Sequence, residues 1–145
     1  MIDCLGLGDS IAVGIAAAIP GCLAEARVGI GSPAYAAIYA HHVSAELAII
    51  SLGSNDGGAD TSAAMDEARS RVTAARVVWI LPSTGSRAAA IAVAARYNDE
   101  TVDVRPLVGR DRVHPRPGGY RVIARMIVGQ PGTWATWPAT ASGRP

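Results

Sequence analysis

Short apolar runs of strand length alternate with helical patterns along this 145-residue chain, and that alternation most restricts what it can fold into. Residues 2–7, 47–52 and 77–81 read as buried strands, and 101–104 as a short fifth strand. Residues 22–28 read as a weaker strand, because Glu25 and Arg27 alternate with small apolar side chains, as at a half-exposed sheet edge. The intervening segments carry helical signals. Residues 11–19 are apolar on every side, which predicts a deeply buried helix ended by Pro20-Gly21. Ser32 and Pro33 read as the cap and first residue of a short helix reaching about position 41. Met65, Ala68 and Val72 share one face of a helix starting near Asp60 or Thr61, with Glu67 four residues before Arg71. Residues 87–97 form a further helix. A last one has Tyr120, Ile123, Ala124 and Ile127 on its apolar face and Gly129 as its stop. This order, with short connections, implies an α/β fold: a five-stranded parallel sheet with helices on both faces.

Half the residues are hydrophobic, enough for one core. The formal net charge of +1 argues against a general nucleic-acid binder, although all the basic residues are Arg. The apolar stretch 11–19 is far short of the roughly 20 residues that cross a bilayer. Asp3, Asp9 and the lack of a preceding positive charge oppose a signal peptide, so no membrane partner is expected. The default location is cytoplasmic, or within a virion or similar assembly. Cys4 and Cys22 do not make a disulfide framework. They are expected as two free buried thiols, with a bridge between neighbouring strands as the alternative.

Three loops after strands carry polar residues that the fold itself does not require. They hold Gly8-Asp9-Ser10, Gly53-Ser54-Asn55-Asp56 and Asp111-Arg112-Val113-His114-Pro115. Loops at the carboxyl ends of parallel strands meet over one sheet edge, where α/β folds bind ligands. A serine hydroxyl becomes nucleophilic only with a base in reach. His114 is the best candidate, because His41 and His42 fall at the end of a peripheral helix. Asp111, three residues earlier, can orient the imidazole. A developing oxyanion needs preset donors, which the Asn55 amide, the Ser10 N–H and an N–H of the Gly29–Gly31 turn can supply.

These blocks resemble those of the SGNH hydrolases, also called the GDSL esterase/lipase family. Gly8-Asp9-Ser10-Ile11 is similar to the first block, Gly53-Ser54-Asn55-Asp56 to the Gly-x-Asn-Asp block, and Asp111 to His114 with Pro115 and Gly119-Tyr120 to the Asp-x-x-His block. The single glycine of the second block fits Gly31 best, with Gly29 as the alternative. The resemblance covers about residues 1–128. It implies a three-layer flavodoxin-like domain over 1–129 with strand order 2-1-3-4-5, followed by a C-terminal extension, 130–145. It further implies ester hydrolysis through an acyl-serine with no metal or cofactor. In that scheme Ser10 is the nucleophile, His114 the base and Asp111 its orienter, while Ser10, Gly31 and Asn55 form the oxyanion hole. The segment between Asn55 and Asp111 has little room for a lid or insertion, so a shallow, open site suited to short acyl groups, or to esters on an acylated glycan, is expected.

Plainer readings exist for each residue. Ser10 could merely cap the first helix, Asp9 could bond loop amides, and Asp56 could order its own loop. Trp79 reads as core. Arg110, Arg112 and Arg116 bracket Asp111 and His114. They make either a solvated loop or a basic rim, with Arg112 and Arg116 as its candidates, that favours anionic substrates. The competing function is an SGNH-like binding or structural module. The 130–145 extension, with Trp134 and Trp137, suits docking on an oligomer or assembly partner.

Overall fold

The computed structural model describes residues 2–129. Its strands are β1 (Ile2–Gly8), β2 (Leu23–Ala26), β3 (Val43–Ser51), β4 (Val72–Leu81) and β5 (Glu100–Asp103). All neighbours pair in parallel, in the expected order 2-1-3-4-5. The helices are α1 (Ser10–Ala18), α2 (Ser32–Ile38), α3 (Ser62–Ser70), α4 (Arg87–Arg96) and α5 (Pro117–Val128).

The period of two along each strand explains the three layers. In β3, Leu47 and Ile49 face one side and join Ile11, Ile15, Ile123 and Ile127 beneath α1 and α5. Ala48 and Ile50 face the other side and join Tyr35, Met65, Trp79 and Val93 beneath α2, α3 and α4. Trp79 is fully buried in β4, and its indole N–H donates to Asp99 Oδ2 at 3.0 Å. Asp99 is itself held by Arg69 at 2.6 Å, so this polar group enters the core satisfied. Replacing Trp79 by Ala would cost on the order of 3–5 kcal/mol.

Helices α1 and α5 approach closely at Gly14, where a Cβ would lie 2.3 Å from the Tyr120 ring. A larger residue there would push apart α1, which begins at Ser10, and α5, which follows the Asp111–His114 loop.

Several boundaries differ from the sequence reading. Strands β3 and β4 begin earlier than expected, at Val43 and Val72, which pair with each other. Val72 is therefore the first residue of β4 and not part of the α3 face. Helix α3 ends at Ser70 with Arg71 as its C-cap, and the Arg71 guanidinium donates to the Ala36 and Tyr39 carbonyls at 2.5 and 3.3 Å. The expected pair of Arg71 with Glu67 is present at 2.5 Å. Helix α2 is capped by Gly31, with Ser32 already inside it, and ends at Ile38. Helix α1 buries Ile11, Ala12, Ile15 and Ala16 but leaves Ala17 exposed. The expectations for the 130–145 extension lie outside the described residues.

The cysteines correct the sequence reading most directly. Cys4 and Cys22 are bonded to each other. The parallel register pairs Leu5 with Leu23, which brings the preceding residues together at a Cα–Cα distance of 4.6 Å. The bond closes a loop over a sequence separation of 18 that contains all of α1. In the chain-entropy picture such a loop is worth about 3 kcal/mol. Denaturant unfolding with and without reductant, checked by Cys4→Ser/Cys22→Ser, should show a loss of that order. Coincident transitions would contradict it.

Candidate active site

Strand β1 ends at Gly8, whose φ of +126° and close approach admit no side chain. A Cβ there would lie 1.9 Å from the Ser51 carbonyl oxygen. The next residue, Asp9, donates its backbone N–H to the same carbonyl at 2.9 Å. The Asp9 side chain is fully buried and is the N-cap of α1. Its Oδ1 accepts from the Ile11 N–H at 3.0 Å and from the Ser51 hydroxyl at 2.9 Å. Its Oδ2 has no partner among the described residues. Burial raises the Asp9 carboxyl to about 6, against the lowering effect of those hydrogen bonds and of nearby His114.

Because Asp9 fills the capping role, the Ser10 hydroxyl is left for another partner. It lies 2.7 Å from His114 Nε2. The imidazole sits on a hairpin-like loop in which Val108 bridges Pro115 and the Gly109 N–H donates to the His114 carbonyl at 2.8 Å. Asp111 Oδ1 accepts from the Val113 and His114 N–H groups, both at 2.9 Å, and Oδ2 lies 2.7 Å from His114 Nδ1. The Val113 N–H, then the imidazole and the His114 N–H, hold the Asp111 carboxyl down at about 2. An ionised carboxylate only accepts, so Nδ1 carries the proton and Nε2 accepts from the Ser10 hydroxyl. The structure thus brings Ser10, His114 and Asp111 into one chain of hydrogen bonds.

Asn55 and Gly31 meet, with the Gly31 Cβ position 3.5 Å from the Asn55 carbonyl oxygen. Asn55 Nδ2 donates to the Ile30 carbonyl at 3.0 Å, tying the loop after β3 to the one after β2. Asp56 strengthens this tie. It accepts from the Ser32 N–H at 2.8 Å, the Ser32 hydroxyl at 2.6 Å and the Thr61 hydroxyl at 2.5 Å. It therefore orders the start of α2 as well as its own loop. Gly31 lies against this pair, with a Cβ position 3.1 Å from Asp56 Oδ1, whereas the alternative, Gly29, faces open space. The N–H groups of Ser10 and Gly31 find no acceptor among the described residues, and Asn55 keeps a second amide hydrogen for a further acceptor.

A cavity of about 450 Å³ opens beside the imidazole, with Arg110, Asp111, His114, Pro115 and Arg116 among its walls. Arg112 does not line it. Its φ of 61° puts it in the left-handed region, and its carbonyl accepts from the Ser83 hydroxyl on the loop after β4. His41 is paired with Glu25 at 2.8 Å, away from this edge.

Sequence reasoning did not single out Ser51, Ser83 or the Ser32–Asp56 pair. For Ser51 a signal existed: a hydroxyl at the end of an otherwise apolar strand needs a buried partner. The others depend on which loops face each other, which sequence spacing does not encode.

The raised Asp9 carboxyl makes a pH prediction. An unfolded Asp releases its proton near 3.8, whereas folded Asp9 keeps its own to about 6. The stabilisation from protonated Asp9 is complete below 3.8 and is lost as pH rises through 6. Unfolding free energy should fall across that window by on the order of 2–3 kcal/mol relative to Asp9→Asn. Parallel pH curves for the two proteins would contradict it.

No protein-family model and no curated protein matches the chain. Among solved structures, the chain is similar to the C-terminal catalytic domain of peptidoglycan O-acetyltransferase A from Streptococcus pneumoniae, solved with a methylsulfonyl adduct. The superposition has a TM-score of 0.57 at 17% identity and covers 99% of this chain and 96% of that one. At that identity the likeness is one of fold, and the chain has the three-layer fold that its resemblance to the SGNH hydrolases implies.

Proposed function

We propose that the protein is a serine esterase that acts on short-acyl esters, O-acetyl groups on carbohydrate among them. The observation that carries this is the pair of 2.7 Å contacts linking Ser10, His114 and Asp111. As Ser10 Oγ bonds to the acyl carbon, its proton passes to His114 Nε2. The carbonyl electrons move onto oxygen, within reach of the Ser10 and Gly31 N–H groups and the Asn55 amide. The imidazolium, stabilised by ionised Asp111, gives the proton to the leaving alcohol. Water then adds to the acyl-serine by the same route and releases the acid. The structural neighbour favours a variant of the second half, in which a sugar hydroxyl replaces water as acceptor and the acyl group is transferred.

A purely structural role for Ser10 is disfavoured, because Asp9 already caps α1. A binding module would have no use for an imidazole poised between a hydroxyl and an ionised carboxylate.

Labelling with a fluorophosphonate tests the reading. Native protein should react, whereas Ser10→Ala should not. Hydrolysis of p-nitrophenyl acetate should fall at least about 10⁴-fold in Ser10→Ala. Asn55→Ala should lose about 10²-fold in kcat with KM nearly unchanged. A folded native protein that takes no label defeats the proposal. A strong preference for long-chain over acetyl or butyryl esters defeats its short-acyl part.

A further inference from the structure

Arginines are spent unevenly in this molecule. Arg69, Arg71, Arg76, Arg87, Arg96 and Arg105 each pair with a carboxylate. Arg27, Arg121 and Arg125 have no carboxylate partner among the described residues, and neither do Arg110, Arg112 and Arg116, which differ in falling within seven positions of one another around Asp111 and His114. Two of the three, Arg110 and Arg116, face the cavity beside the imidazole. The acidic group in that cavity, Asp111, is already engaged by the Val113 and His114 N–H groups and the His114 ring. It forms no ion pair with either guanidinium, and the two arginines outnumber the one carboxylate on that lining.

The side of the substrate that this cavity meets follows from the proton's path, so the inference rests on the reading of Ser10 above. His114 Nε2 takes the serine proton and must hand it to the leaving oxygen, so the alcohol lies against the imidazole. The acyl oxygen goes to the oxyanion donors of that reading, the Ser10 and Gly31 N–H groups and the Asn55 amide, none of which lines the cavity. We infer that the cavity holds the alcohol portion of the ester and that this portion carries an anionic group, a carboxylate or a phosphate, gripped by Arg110 and Arg116. A guanidinium matches either anion through paired N–H donors. Arg112 does not line the cavity and is not part of the grip.

The test compares three acetyl esters with similar leaving groups: 4-(acetoxymethyl)benzoate, its neutral amide, and 4-(acetoxymethyl)phenyl phosphate. At low salt, kcat/KM for one or both charged esters should exceed that of the amide by about tenfold. The larger preference identifies the anion. The ratio should shrink as salt is raised to 0.5 M, because the arginines are exposed. In Arg110→Gln/Arg116→Gln the ratio should fall to within about twofold of unity. Arg121→Gln/Arg125→Gln, which removes the same charge from α5, should keep the native ratio. Equal turnover of all three esters by native protein, or a ratio unmoved by the first pair of substitutions, overturns the inference and leaves the esterase reading intact. No turnover of any ester, together with no fluorophosphonate label, overturns that reading and the inference with it.

Discussion

A buried carboxylate holds the working edge of this molecule together. Asp9 joins three elements at one point: it follows β1, caps α1, and receives the hydroxyl at the end of β3. Removing a carboxyl from water is expensive, and its raised proton affinity records that expense. The return is positional. With the first turn of α1 fixed against β3, the Ser10 hydroxyl has one direction to face, and it faces His114.

Serine hydroxyls repeat this device around the edge. Ser51 bonds Asp9, Ser32 bonds Asp56, and Ser83 holds the Arg112 carbonyl. Each contact ties one loop to a neighbour from another part of the chain. Loops braced in this way hold their side chains in place before any substrate arrives, which is what lowers the reorganisation cost of charge development. The Asn55 contact with Ile30 likewise ties the loop after β3 to the one after β2.

The sheet and the polar blocks were legible because their signals are local. Apolar runs mark strands, and few residue types can serve as nucleophile, base or orienter. What escaped depends on register and direction. The Cys4–Cys22 bond needs the pairing of Leu5 with Leu23, which neither segment reveals alone. Val72 has helical spacing from Met65 and Ala68, but tertiary pairing with Val43 takes it into a strand. Arg112 was as plausible a rim residue as Arg116, yet of the two only Arg116 lines the cavity. Ser32 looked like a cap by residue type, yet the cap fell to Gly31, and Ser32 bonds a loop 24 residues away.

The Ser10 and His114 side chains that meet at 2.7 Å are separated by 104 positions in the chain. While the polypeptide is being synthesised, its serine emerges early and its imidazole late. Throughout that interval the hydroxyl is an ordinary alcohol with no base near it. On the proposed chemistry, the nascent chain is therefore silent towards esters until the last helix closes against the first.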